Sequence, residues 1–275
     1  MKIIGLGEIV WDCLPSGTVL GGAPLNFTYH CLKAGAEAYG ISAVGRDALG
    51  EETLRVMSEK GLSREYIQIS NLPTSRVLVS LDTAGVPCYE ILENVAWDDL
   101  EATPQALSLC READAVCWGA LAQREEKSRR AILAMVDACP DCALKVFDIN
   151  IRQHYYSSGV VEESLKRCNI LKLNEDELPL VCSLTGCSDI ADIIRRFNLK
   201  YVIYTCGADF SEVHSPEGCL SHIKTPQVKV VDTVGAGDSF TATFVADILS
   251  GSPVGKAHAE AVSVSAEVCT RKGAM

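Results

Sequence analysis

The sequence predicts an α/β domain with a central, mostly parallel, helix-covered sheet and a small β appendage. Two observations carry that expectation. Short apolar runs alternate with helical patterns along most of the chain, as βαβ units require. The stretch 75–92 breaks the alternation, with two β-rich runs around Asp82-Thr83-Ala84-Gly85-Val86, as a hairpin would. The 275 residues, 48% hydrophobic, are enough to bury a sizeable core and suit one large α/β domain or two small ones, of which a single domain spanning 1–275 is expected.

Taken in order, Lys2-Ile3-Ile4-Gly5-Leu6-Gly7 reads as a buried first strand. Pro24 near the start and Gly35 just past the end bracket a helix over 24–34. A strand follows over 38–44, then a helix from Gly50 to Lys60 that Gly61 stops. Ser75-Arg76-Val77-Leu78-Val79-Ser80-Leu81 and Pro87-Cys88-Tyr89-Glu90-Ile91-Leu92 form the hairpin. Alternation then resumes, with strands over 114–118, 144–149, 169–173 and 201–205 and helices between them, including 124–138 and 160–167. The last third holds a strand near 228–231 and a long helix from about 236 to 250.

Charge and cysteine usage narrow the function classes. A net charge of −11 repels polyanions, so nucleic acid is disfavoured as a partner. A nucleotide is not, because a local pocket of N–H groups and a metal ion suffices to hold one. No apolar run approaches the ~20 residues needed to cross a bilayer, so a membrane is not expected as a partner. Thirteen cysteines without a leader pattern fit small buried thiols in a reducing cytoplasm. Cys139-Pro140-Asp141-Cys142 lacks the second pair that a zinc site needs.

The strongest local signal is Val231-Asp232-Thr233-Val234-Gly235-Ala236-Gly237-Asp238-Ser239-Phe240. Two glycines flank an alanine at the start of a long apolar helix. Helix N-termini carry unpaired N–H groups and a positive dipole end, which together make an anion hole. Asp238 sits in the same turn, where a carboxylate can take a hydroxyl proton beside a transferring phosphoryl group. A lone G-x-G-D would more simply be a capped helix start; the surrounding ten residues favour the catalytic reading. Upstream, Asp12 lies in the first βα turn region, and Gly21-Gly22 place bare backbone near Asn26. Carboxylate, amides and carboxamide suit a polyhydroxylated ligand. Arg152 follows a strand end and suits phosphate or a sugar oxygen. Asn174 and Glu177 share a face, either as a capping box or as ligands of a phosphate-bound ion.

Asp232-Thr233-Val234-Gly235-Ala236-Gly237-Asp238 resembles the C-terminal signature of the ribokinase-like sugar kinases, the PfkB family. Gly21-Gly22-Ala23-Pro24-Leu25-Asn26 is similar to the G-G-A-P-x-N of its fructokinase-type members. Ser42-Ala43-Val44-Gly45-Arg46-Asp47-Ala48-Leu49-Gly50 resembles V-G-x-D-x-x-G. Asp148-Ile149-Asn150-Ile151-Arg152 and Lys172-Leu173-Asn174-Glu175-Asp176-Glu177 resemble D-x-N-x-R and N-x-x-E. These elements stand in family order over almost the whole chain.

The resemblance implies a ribokinase-like three-layer α/β/α domain with a mostly parallel central sheet. A small β-sheet lid would come from segments of about 8–25 and 70–95. It further implies an ATP-dependent sugar kinase, most plausibly for fructose, with ribose, 2-keto-3-deoxygluconate or a nucleoside as alternative acceptors. Asp238 would be the base, and Gly235, Ala236 and Gly237 the anion hole. Asp12, Gly21, Gly22, Asn26 and Arg152 would hold the sugar. Asn174, Glu177, Thr205 and Gly207 would sit near the nucleotide, with Mg²⁺ held by Glu177 through water. Asp232 and Thr233 would take a monovalent cation, K⁺. A cytoplasmic homodimer through the lid is the family expectation.

The chain departs from the family at Thr205-Cys206-Gly207-Ala208-Asp209-Phe210, where Phe210 replaces the second glycine of T-x-G-x-x-G. The stretch 183–200 also looks shortened. A sugar-binding regulator that has lost turnover is therefore the main rival. A dinucleotide fold fails because Val10 stands where Gly5-x-Gly7 needs its third glycine. A Walker loop fails because Gly251-Ser252-Pro253-Val254-Gly255-Lys256-Ala257 has the wrong spacing and no hydroxyl.

Overall fold

The computed structural model describes residues 1–14, 17–81 and 87–275. The chain opens with β1 (Lys2–Leu6), then β2 (Val10–Leu14), β3 (Gly17–Gly21) and α1 (Ala23–Lys33). It continues through β4 (Glu37–Gly45), α2 (Ala48–Glu59), β5 (Ile67–Ser70), β6 (Arg76–Leu81) and β7 (Pro87–Ile91). Next come α3 (Pro104–Cys110), β8 (Ala115–Trp118), α4 (Glu126–Ala138), β9 (Leu144–Asp148), α5 (Ser158–Leu165) and β10 (Ile170–Asn174). The last elements are α6 (Glu177–Thr185), α7 (Ile190–Phe197), β11 (Tyr201–Cys206), β12 (Phe210–Ser215), β13 (Gly218–Lys224), α8 (Ala236–Leu249) and α9 (Val254–Val268).

Nine strands form one sheet in the order β13-β12-β11-β10-β9-β8-β1-β4-β5. The seven from β11 to β5 run parallel, while β12 and β13 are antiparallel at one edge. Strand alternation assigns neighbouring residues to opposite faces. Ile4, Val116, Leu171 and Val202 join one core cluster with residues of α4 to α7. Ile3, Cys117, Ile170 and Ile203 join another with residues of α1, α8 and α9. Two helical layers on one sheet give the three-layer α/β/α, ribokinase-like architecture that the sequence implies. Among the described residues no helix is long and apolar enough to cross a membrane.

A separate four-stranded sheet has the order β3-β2-β6-β7. Its two halves come from the segments expected to make a lid, with tighter bounds. The first ends at Gly21, because α1 begins at Ala23 with Pro24 in its first turn. The hairpin's turn, 82–86, lies outside the described residues. Asp12 is on β2 of this second sheet, not in a βα turn, so the strand itself carries it over the end of the main sheet.

One further expectation needs correction. Residues 225–230 form no strand. The edge of the main sheet is taken by the β12–β13 hairpin, so the valine-rich run at 228–231 pairs with no strand among the described residues, and its Val231 N–H goes instead to the Cys269 carbonyl at 2.8 Å. α9 was not foreseen, and it packs on α8 within the second core cluster. The stretch 183–200 holds the end of α6 and all of α7, joined through Gly186 in the left-handed conformation. The V-G-x-D-x-x-G element is structural: Asp47 caps α2 through the Gly50 N–H and also accepts from the Thr74 N–H and hydroxyl.

Candidate active site

The site lies at the carboxyl ends of the parallel strands, where α/β sheets place their ligands. Glu8 follows β1, Asp148 ends β9, and Lys172 and Asn174 lie on β10. The N-terminus of α8 faces them. Gly235 takes a left-handed conformation (φ 81°), and a Cβ there would lie 2.4 Å from the Ala274 Cβ. Glycine is therefore required for both the turn and the contact. The Ala236 N–H turns back to the Thr233 carbonyl at 3.2 Å. The N–H groups of Gly235, Gly237 and Asp238 have no such partner among the described residues. Of the expected Gly235-Ala236-Gly237 trio, Ala236 is thus engaged within the turn, while Gly235, Gly237 and the neighbouring Asp238 keep unpartnered N–H groups among the described residues.

Asp238 is fixed by α1. The Asn26 Nδ2 donates to its Oδ2 at 2.8 Å. Its pKa is pushed up to about 6, first by desolvation and then by the nearby Asp148 charge, while Asn26, Lys172 and Arg152 pull it down. Asp238 as a whole is half-buried, yet the surrounding protein is dense enough for burial to dominate the shift. Such a group is ionised at neutral pH and still basic enough to accept a proton.

Beneath it lies a buried ion pair that the sequence reading did not single out. Lys172 Nζ is 3.3 Å from Asp148 Oδ1, and both side chains are about nine-tenths buried. Thr241 on α8 donates to Asp148 Oδ2 at 3.2 Å. A Cβ on Gly237 would stand 3.1 Å from the Lys172 Nζ, so the ammonium approaches the anion hole itself. Burial alone would lower the Lys172 pKa, but Asp148, Glu177 and Asp238 overrule it and the net shift is upward. The signal in the sequence was a lysine inside the apolar run Ile170-Leu171-Lys172-Leu173. A fully buried lysine is rare unless paired.

Glu8 is also buried, and its Oε2 has no hydrogen-bond partner. Burial raises its pKa to about 7, against the pull of Arg152. Asp12 is raised by burial and lowered by Arg152 in turn. The charge of the exposed Arg152 thus acts on Glu8, Asp12 and Asp238 alike. Gly21 packs against the Asp12 carboxylate, 3.5 Å from where a Cβ would be. Gly22 (φ 114°) would bring a Cβ to 2.4 Å from the Glu8 carbonyl. Of the residues expected at the sugar, Asn26 touches Asp238 directly, Gly21 lies against Asp12, and Gly22 lies against the Glu8 backbone. The Asn26 Oδ1 is buried and has no partner.

On the other side of Gly237 opens a cavity of about 440 Å³. Lys172, Asn174, Thr205, Gly207, Thr233 and Phe210 are among its lining residues, as are Val228, Val230 and Val262. Phe210 is stacked on His222, with centroids 4.8 Å apart. Glu177 sits behind this wall. Its oxygens accept the Ile151 and Asn174 N–H groups at 2.8 and 2.9 Å, and Asn174 Oδ1 accepts from the Asp176 and Glu177 N–H groups. The bonds between the two residues are reciprocal, but Asp176 is the N-cap of α6 and Glu177 its first residue, so they brace the turn before the helix and do not form the expected capping box. Each carboxylate oxygen keeps a second lone pair, a donor set that fits an ion held through water. Asp232 accepts from Val234 and Gly273 at 3.0 Å each, tying the loop before the anion hole to the C-terminal segment.

Comparison with known proteins agrees with this geometry. A model of the pfkB family of carbohydrate kinases matches residues 16–275. A fructokinase of Klebsiella pneumoniae is 28% identical over 296 residues, covering 100% of this chain and 95% of its own. Aminoimidazole riboside kinase of Salmonella typhimurium is 27% identical, covering 93% and 83%. The crystal structure of fructokinase with bound ATP from Xylella fastidiosa superposes with a TM-score of 0.88 at 18% identity, covering 99% of this chain and 93% of that one.

Proposed function

This chain belongs to the pfkB family of carbohydrate kinases, and we propose that it transfers the γ-phosphoryl group of Mg-ATP to a hydroxyl of fructose. The observation that carries the reading is Asp238: a carboxylate with a pKa of about 6, held by Asn26 beside the unpartnered N–H groups of the α8 N-terminus. The resemblance to fructokinases over the full chain supports the choice of acceptor.

In this reading Asp12, Asn26 and Arg152 hold the sugar with its reacting hydroxyl against Asp238. The unpartnered Asn26 Oδ1 is an acceptor for a second hydroxyl. Asp238 takes the proton as the oxygen attacks, a contribution typically worth ~10²–10⁴-fold. The unpartnered N–H groups of Gly235, Gly237 and Asp238 and the Lys172 ammonium bear the charge that builds on the transferring group. Fixed donors act without reorganising, which is the source of their effect. The nucleotide occupies the cavity along Thr205, Gly207 and Thr233, with its base against the apolar run at Val228 and Val230. Glu177 would hold Mg²⁺ through water, and Asp232 and Thr233 would hold K⁺; the bound cations supply charge neutralisation at the phosphates.

The second sheet, carrying Asp12, covers the sugar and limits access of water, which would otherwise compete as acceptor. The same reading has the chain acting in the cytoplasm as a homodimer joined through this sheet, where Leu78 is 37% exposed. The test is ADP release from Mg-ATP with fructose, ribose, 2-keto-3-deoxygluconate, aminoimidazole riboside and tagatose. Turnover greatest with fructose is expected. Preference for a riboside would move the acceptor to the nucleoside class. Tight sugar binding without turnover would make the chain a regulator.

A further inference from the structure

The outer hairpin of the main sheet carries a second cluster that the kinase chemistry does not use. On β12, Glu212 and His214 are two residues apart and share a face. On β13, Glu212 pairs with His222, and His214 with Cys219. His222 and Cys219 are three residues apart, so a regular strand would point them to opposite faces. The register jumps between Val213–Ser221 and His214–Cys219, skipping Leu220. That bulge turns Cys219 back to the face of His222, in the way bulges re-aim side chains. Leu220 is left 44% exposed.

The result is convergent. Glu212 Oε2 is 2.8 Å from His214 Nε2, and its Oε1 is 2.9 Å from His222 Nδ1. Ligand atoms of Glu212, His214 and Cys219 all lie within 4.8 Å of one another. A carboxylate shared by two imidazoles would account for three of these residues. It leaves Cys219 unexplained, since the thiol reaches only the Ser221 carbonyl at 3.5 Å. Two imidazoles, a thiol and a carboxylate are a mixed N/S/O set. Such sets suit a borderline divalent ion of the zinc class and do not suit Mg²⁺, which prefers oxygen and water.

We propose that Glu212, His214 and Cys219, with His222 bonded to Glu212 at their edge, form a binding site for a zinc-class divalent metal on the β12–β13 hairpin, separate from the site of phosphoryl transfer. His222 stacks on Phe210, which lines the main cavity, so the site stands one side chain from the cavity wall.

The test uses untagged full-length protein titrated with Co²⁺, whose spectrum reports ligands independently of kinase activity. One equivalent should give tetrahedral d–d bands with a thiolate-to-cobalt charge-transfer band, and Zn²⁺ should displace both. Cys219→Ser should remove the charge-transfer band, whereas Cys142→Ser, at another exposed thiol, should leave it. His214→Ala and His222→Ala should each weaken binding by about 10-fold or more, with unchanged circular dichroism reporting that the fold survives. A wild-type titration without the charge-transfer band would overturn the proposal. So would a band that persists in Cys219→Ser, which would mean adventitious uptake elsewhere on the chain. Either failure would leave the kinase reading untouched, since ADP release does not enter the measurement.

Discussion

The two sides of Gly237 are built differently. On the side of Asp238, the functional groups are largely buried and paired: Asn26 holds Asp238 at 2.8 Å, and Asp148 holds Lys172 at 3.3 Å and Thr241 at 3.2 Å. On the side of the cavity, the wall is irregular chain with exposed apolar residues, Val228 at 36% and Val230 at 59%. A preorganised polar network loses function when any member is removed, because the remaining charges stay buried without compensation. An apolar wall distributes its contribution over many small contacts, and one change is absorbed. Perturbations should therefore be severe on the first side and mild on the second.

The largest effect should come from Asp238→Asn, which keeps the Asn26 contact but removes the base. Its kcat is expected to fall by ~10²–10⁴-fold with sugar affinity nearly unchanged; a kcat within a factor of about two of wild type would remove Asp238 from the base role. Lys172→Met tests whether the buried ammonium belongs to the reactive side. A fall in kcat of about 10²-fold with little change in KM is expected, whereas a rise in the KM for ATP alone would transfer Lys172 to the binding wall.

The pH profile sharpens the same distinction. The acidic limb of kcat/KM should lie near pH 6, because Asp238 must be ionised and its pKa is raised to about 6. Activity then rises as pH rises through that value. Asp148 contributes to raising it, so Asp148→Asn should move the limb toward lower pH; movement to higher pH would mean that Asp148 acts mainly by positioning Lys172. Stability runs the other way. A carboxyl whose folded pKa exceeds its unfolded value near 3.8 favours the folded state fully below that value and loses the contribution as pH rises through 6. The smallest effect should follow Phe210→Gly, which restores the family's glycine on the apolar wall. ATP affinity should change less than about tenfold, measured by calorimetry, and a larger change would make Phe210 a principal determinant of nucleotide binding.

This contrast also decides what was readable in the sequence. The glycines, Asp238 and Asn26 could be located because their conformations demand particular residue types: Gly235 must adopt a left-handed φ against Ala274, and Gly22 must clear the Glu8 carbonyl. The alternating strands were legible for the same reason, since each buries both faces. Lys172, Asp148 and Glu8 were not legible as a network, because burial and pairing of charges come from β10, β9 and the segment after β1, brought together only by the sheet order. The run near 228–231 reads as a strand because β-branched residues signal extended chain without revealing whether a neighbour exists to pair with. Likewise, one skipped residue at Leu220 decides which face Cys219 occupies, and no periodicity reports a bulge.

The central claim is transfer to a sugar hydroxyl with Asp238 as base. It is tested most directly by product stoichiometry: ADP and phosphorylated fructose quantified together, by phosphorus NMR, for wild type and Asp238→Asn. The account predicts one sugar phosphate for each ADP in wild type and loss of both products together in the variant. ADP formed without sugar phosphate, or equal sugar phosphate from the two proteins, would contradict it.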